Sequence, residues 1–169
     1  VAAIEMIQRV TDARERGDSV GGIVECRVHG VPAGLGEPVF DKLDAELAKA
    51  ILSIGATKGI EFGTGFAAAD MYGSEHNDPM DASGFLSNHA GGILGGISNG
   101  AEIVFRVVVK PTSSISVEQR TLDVQGRETV IRTEGRHDPC ICPRIVPVVE
   151  AMAALVLEDH FKRHAAMMG

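Results

Sequence analysis

Between Ser87 and Gly100 the chain reads SNHAGGILGGISNG, five glycines in fourteen residues running straight into the strand pattern AEIVFRVVVKP. Glycine has no Cβ, so such a stretch suggests backbone that approaches a ligand or another chain closely. A merely flexible surface loop would not carry Ile93, Leu94 and Ile97. The core must be aliphatic, because apolar residues make up 44% of the 169 residues while aromatics are 4% and Trp is absent. A core of Val, Ile, Leu, Ala and Met is expected, in a chain of one domain's length, 1–169.

The rest of the pattern mixes helices and strands. AAIEMIQRVTDARERG places Ile4, Ile7 and Val10 at helical spacing with Gly17 at its end, and SVGGIVECRVHG reads as a strand kinked at Gly21-Gly22. VFDKLDAELAKAILSIG is the clearest amphipathic helix, with Phe40, Leu43, Leu47 and Ile51 on one stripe. KGIEFG is a short strand, FAAADMYG a helical turn, and Ser74–Ser98 a loop of a length that is usually functional or disordered. After AEIVFRVVVKP, which Pro111 stops, RTLDV and ETVIR flank Gln125-Gly126 as a hairpin. A long helix, PRIVPVVEAMAALVLEDHFKRHAAMM, closes the chain, with Pro143 and Pro147 expected near its first turn. Without regular alternation the fold class is α+β with antiparallel pairing.

Sixteen Lys and Arg against 23 Asp and Glu give a net charge of −7, which argues against nucleic acid or an anionic membrane as partner. No apolar run is long enough to span a bilayer. Three cysteines imply no disulfide framework and suit a reduced, cytoplasmic setting. Val1 opens a helical pattern without an initiator Met, so the chain reads as part of a longer one.

Several segments could carry chemistry. Gly63-x-Gly65-x-x-Ala68 follows a strand, a loose dinucleotide-binding match whose confirming acid is missing, since Asp78 and Asp81 lie in a loop; turn glycines are the plainer reading. His137, Cys140 and Cys142 in GRHDPCICPR (Gly135–Arg144) offer metal donors, but Cys-x-Cys with no second pair does not close a tetrahedral site. His160 and His164 read as a solvated helix end. KPTSS sets Lys110 and the hydroxyls of Thr112, Ser113 and Ser114 at a strand end, a combination that suits a phosphate or forms a plain polar turn.

Together VPAGLGEPVFDKLDAELAKA, SNHAGGILGGISNG, KPTSS and GRHDPCICPRIVPVVEAM closely resemble the chorismate synthase family, the last being that family's C-terminal signature. The resemblance runs from about Asp18 to the C-terminus and covers about the C-terminal half of the family's chain; the N-terminal signatures are absent. It implies a β-α-β sandwich, helices packed between antiparallel sheets, in a homotetramer. It implies 1,4-anti elimination of phosphate from 5-enolpyruvylshikimate-3-phosphate to chorismate, with reduced FMN required although the reaction is redox-neutral overall. Flavin contacts carried over by motif are Gly55, Ala56, Gly95, Lys110, Pro111, Thr112, Ser113, Ser114 and Arg136. Position 55 is commonly asparagine in the family, so only a backbone contact carries over to Gly55. Arg136 would also face the substrate, and Asp138 would handle a proton near the flavin. Cys140 and Cys142 would then be packing thiols, no metal being implied, and the half-length chain would be inactive alone. Two readings from other classes stand beside it: a non-catalytic module that binds an anion or supplies a subunit interface, and a nicotinamide oxidoreductase resting on Gly63-x-Gly65.

Overall fold

The computed structural model describes residues Val1–Gly169. Its centre is a three-stranded antiparallel sheet in the order β1 (Gly22–Val28), β7 (Ile103–Val109), β2 (Thr57–Phe62). β7 lies in the middle because it alone alternates fully: Ile103, Phe105, Val107 and Val109 are buried on one face. Phe105 faces both Cys26 and Phe62 in register, and its ring lies 5.7 Å from that of Phe62.

On that buried face lie α2 (Leu43–Leu52) and α4 (Cys142–Met168), packed against each other. α2 contributes Leu43, Leu47 and Ile51; α4 contributes Ile145, Val149 and Ala153. The resulting core is one aliphatic cluster with Phe105 as its single buried ring. The α+β class with antiparallel strands is what the sequence predicts, with helices laid on a sheet.

Four elements differ from their sequence reading. α2 begins after Lys42, so Phe40 is not on its stripe and is 90% exposed; Glu37 and Asp41 instead close a tight turn by a β-bridge. α1 (Ala2–Glu15) forms as expected, but Ile4 and Ile7 face outward and only Ala13 is buried. Pro147 lies inside α4, in its second turn, where it removes one backbone donor. The strand β1 starts at Gly22, leaving Gly21 outside it, where a Cβ would collide with the Val109 carbonyl.

The long loop is partly ordered. After a 3-10 turn at Gly65–Asp70 come α3 (Gly73–His76) and two minimal hairpins, β3 (Met80–Asp81) with β4 (Gly84–Phe85), and β5 (Ile93–Leu94) with β6 (Ile97–Ser98). The expected hairpin forms between β8 (Gln119–Leu122) and β9 (Glu128–Ile131), with Gly126 at φ 80° in its turn.

Candidate functional site

The end of β7 delivers the KPTSS segment next to the end of α2. The Lys110 amide donates to the Ala56 carbonyl at 2.9 Å. Ala56 is the one non-glycine residue with positive φ, 73°, a conformation that costs about 1–3 kcal/mol and persists where the surroundings over-determine it. Gly55 beside it has open space where a Cβ would point, so a side chain there would meet no obstacle. Farther on, the Ser19 hydroxyl donates to the Thr112 carbonyl at 2.6 Å and the Ser116 amide to the Gly17 carbonyl at 2.8 Å. These bonds lay the segment along Gly17–Gly21. Thr112 Oγ1 is buried with no partner within the chain, a donor and acceptor awaiting one. Ser113 is exposed.

The junction before α4 comes to the same place. The Val20 amide donates to the Pro139 carbonyl at 2.8 Å, and a cleft of about 170 Å³ opens between the end of α1, Ser114–Ser116 and the junction. Arg14, Ser19, Ser114, His137 and Asp138 line it. Asp138 Oδ2 is paired with Arg144 Nη1 at 2.7 Å, and Arg136 is exposed beside them. His137 Nε2 is buried without a partner. Cys142 Sγ packs on Gly22, and burial together with the neighbouring Cys140 thiol pushes the Cys142 thiol up to about 11. No three metal-donor side chains cluster in the chain.

The glycine stretch lies elsewhere. Gly95 is in the β5–β6 turn at φ 59°, and the Gly96 carbonyl accepts the Leu43 amide at the start of α2. Ala56 follows the end of α2, and ten helical residues at about 1.5 Å each separate the two by about 15 Å. Within this chain, then, Ala56, Lys110–Ser114 and Asp138 are drawn toward one side, and Gly95 sits at the other end of α2.

Gly63 and Gly65 do not form a phosphate cradle. A Cβ on Gly63 would collide with the His89 carbonyl and one on Gly65 with the Glu61 carboxylate, so both glycines are packed against the chain itself. The strand before them pairs antiparallel with β7, not in a parallel β-α-β unit. The turn-glycine reading holds and the nicotinamide reading loses its basis.

Sequence reasoning gave no role to three groups. Asp78 accepts three hydrogen bonds from Ser87, His89 and Ala90. Partial burial would raise its carboxyl, but those donors and the nearby His89 outweigh it and hold the group below its ordinary range. Arg106, on the open side of β7, pairs with Glu61 at 2.9 Å and donates to the Gly63 carbonyl at 2.8 Å. His160 is 2% exposed with neither ring nitrogen bonded, so it is not part of a solvated helix end. Only its helical spacing from Ala153 and Val149 hinted at an inward face.

The family model for chorismate synthase matches residues 1–161. Curated relatives described as chorismate synthase include those of Opitutus terrae, 58% identical over 171 residues, and Trichodesmium erythraeum, 58% identical over 167 residues. These alignments take in 99% and 96% of this chain but 47% and 45% of the relatives, so the chain spans about half their length. A crystal structure of chorismate synthase superimposes with a TM-score of 0.73 at 34% identity, covering 92% of this chain and 41% of that one. With the sheet, the two packed helices and the KPTSS and GRHDPC segments in place, the chain belongs to the chorismate synthase family.

Proposed function

We propose that the protein to which this chain belongs eliminates phosphate from 5-enolpyruvylshikimate-3-phosphate to give chorismate, with reduced FMN as cofactor. The observation that carries the reading is the family match across residues 1–161. The residues present suit a phosphate-bearing flavin: the unpartnered Thr112 hydroxyl stands two residues from Lys110, on a segment tied to Ala56. Lys110, Pro111, Thr112, Ser113 and Ser114 would hold the cofactor, with backbone from Gly55 and Ala56, and with Arg136. Gly95 would contribute from the far end of α2. When bound, reduced FMN supplies an electron that returns to it by the end of turnover.

The protein's own part is charge and proton handling. A phosphorylated dicarboxylate beside a flavin phosphate needs cations, and a chain of net charge −7 supplies them locally through Lys110, Arg136 and Arg144. Each charge-assisted bond contributes about 1.5–3 kcal/mol. Arg136 is exposed and unpaired, free to turn onto the substrate. Arg144 occupies Asp138 Oδ2 at 2.7 Å and leaves Oδ1 to accept a proton. The test is an anaerobic assay of the full-length enzyme with reduced FMN and 5-enolpyruvylshikimate-3-phosphate. Equal amounts of chorismate and phosphate are expected. No phosphate release, with FMN bound, would refute the reading.

A further inference from the structure

We propose that Asp78 is a positioning residue for the flavin site: its carboxylate clamps the stretch that carries the glycine turn at Gly95. The inference rests on the reading above that Gly95 contacts the cofactor. Asp78 Oδ1 accepts from the Ser87 hydroxyl and the His89 amide, both at 2.7 Å, and Oδ2 accepts from the Ala90 amide at 2.9 Å. Both oxygens are thus filled by donors from the four residues Ser87–Ala90. Bonds to an ionised acceptor are about twice as strong as neutral ones.

The clamped stretch is itself sewn to the sheet. The Thr64 amide donates to the His89 carbonyl at 2.8 Å, and the Thr64 hydroxyl is hydrogen-bonded to His89 Nδ1 at 2.9 Å. Asn88 accepts from the Gly92 amide and donates to the Glu102 carbonyl, each at 2.8 Å. From Ala90 only Gly91, Gly92 and the two residues of β5 remain before Gly95. Gly91, Gly92, Gly95 and Gly96 all have positive φ and no side chains with which to hold themselves. Their order must come from outside the turn, and Asp78 is the one side chain that bonds the backbone just ahead of them at two successive amides. Asparagine cannot replace it, because its NH2 group would face either the Ala90 amide or the two donors on the other oxygen.

The experiment compares the full-length enzyme with its Asp78→Asn variant, titrating each with FMN and recording the absorption spectrum of the bound flavin. The variant is expected to bind FMN about tenfold more weakly, the effect of one charge-assisted bond. Its bound flavin should also show shifted visible bands. A loss of fold stability alone would lower the amount of competent protein but leave the bound spectrum as in the parent. FMN affinity within twofold and an unchanged spectrum would overturn the inference while leaving the proposed function standing. An absence of FMN binding by the parent enzyme would overturn the function, and the inference with it. Should Asp78→Asn fail to fold, Ser87→Ala removes one side-chain donor and leaves both amide bonds to the carboxylate in place, and it must still weaken FMN binding about threefold; unchanged affinity there overturns the inference.

Discussion

Asp138 and Arg144 stand six positions apart on either side of the Pro139 to Pro143 bend, and the bend folds the guanidinium back to within 2.7 Å of the carboxylate. The Arg144 side chain is 69% exposed and that of Asp138 31%, so the pair contributes little to stability and its significance is local. Asp138→Asn should therefore leave folding and FMN binding unchanged, because asparagine is nearly isosteric and still accepts from Arg144. Turnover should fall about 10²–10⁴-fold, the usual contribution of a positioned acid or base. Normal turnover between pH 6 and 9 would show that the proton goes elsewhere. The residue types of the motif were readable from the chain; the pairing was not, since it depends on the angle of the bend.

α4 presents Ile145, Val149 and Ala153 at fourfold spacing to α2 and the sheet, and this burial outweighs the proline in its second turn. Pro147 is exposed, so it contributes no packing and removes the bond its amide would make to the Pro143 carbonyl. Pro147→Ala in the full-length enzyme should raise stability by about 1–3 kcal/mol, approaching the penalty of proline in a helix interior. Thermal unfolding measures it, and an unchanged or lower midpoint would show that the ring makes contacts this chain alone does not reveal. The other elements show how far periodicity reaches. It placed β7 and the body of α2, because Leu43, Leu47 and Ile51 and the alternate residues of β7 face one core, but not the start of α2, where Phe40 lies outside the helix. It placed α1 as a helix but could not say that Ile4 and Ile7 look outward, since both faces of a helix are equally helical.

Across the whole molecule, apolar surface is left open where α1, β1 and the start of α4 meet. A groove of about 620 Å³ there is lined by Met6, Ile7, Val10, Ile23 and Val146 among others, and on the open sheet face Val108 and Phe66 are also exposed. Exposed apolar area of this extent drives association in a chain tested by itself. The 169-residue chain alone is expected to self-associate and to form no chorismate with reduced FMN and 5-enolpyruvylshikimate-3-phosphate. The proposed site offers one lysine, two arginines and one aspartate to a substrate with three acidic groups and to the FMN phosphate. Light scattering and product assay check both halves: a monodisperse monomer would contradict the first, turnover the second.

Helix and strand positions, the aliphatic core and the family motifs could all be read from the chain, because apolar spacing and short motifs are local properties. Gly63 and Gly65 looked like a ligand loop for the same reason: a glycine spacing records backbone freedom and not what lies opposite. Here the opposite partners are His89 and Glu61, brought in from the chain itself. In the sequence Asp78 reads only as a loop acid, since a carboxylate in a loop is ordinary until its three donors are folded around it. His160 reads as polar and is among the most buried side chains, because α4 turns that face inward. Gly95 and Ala56 belong to the same motif set but lie at opposite ends of α2, for a rigid helix holds its ends apart whatever the flanking segments resemble. Sequence spacing specifies what each segment can do, and long-range packing specifies which segments meet.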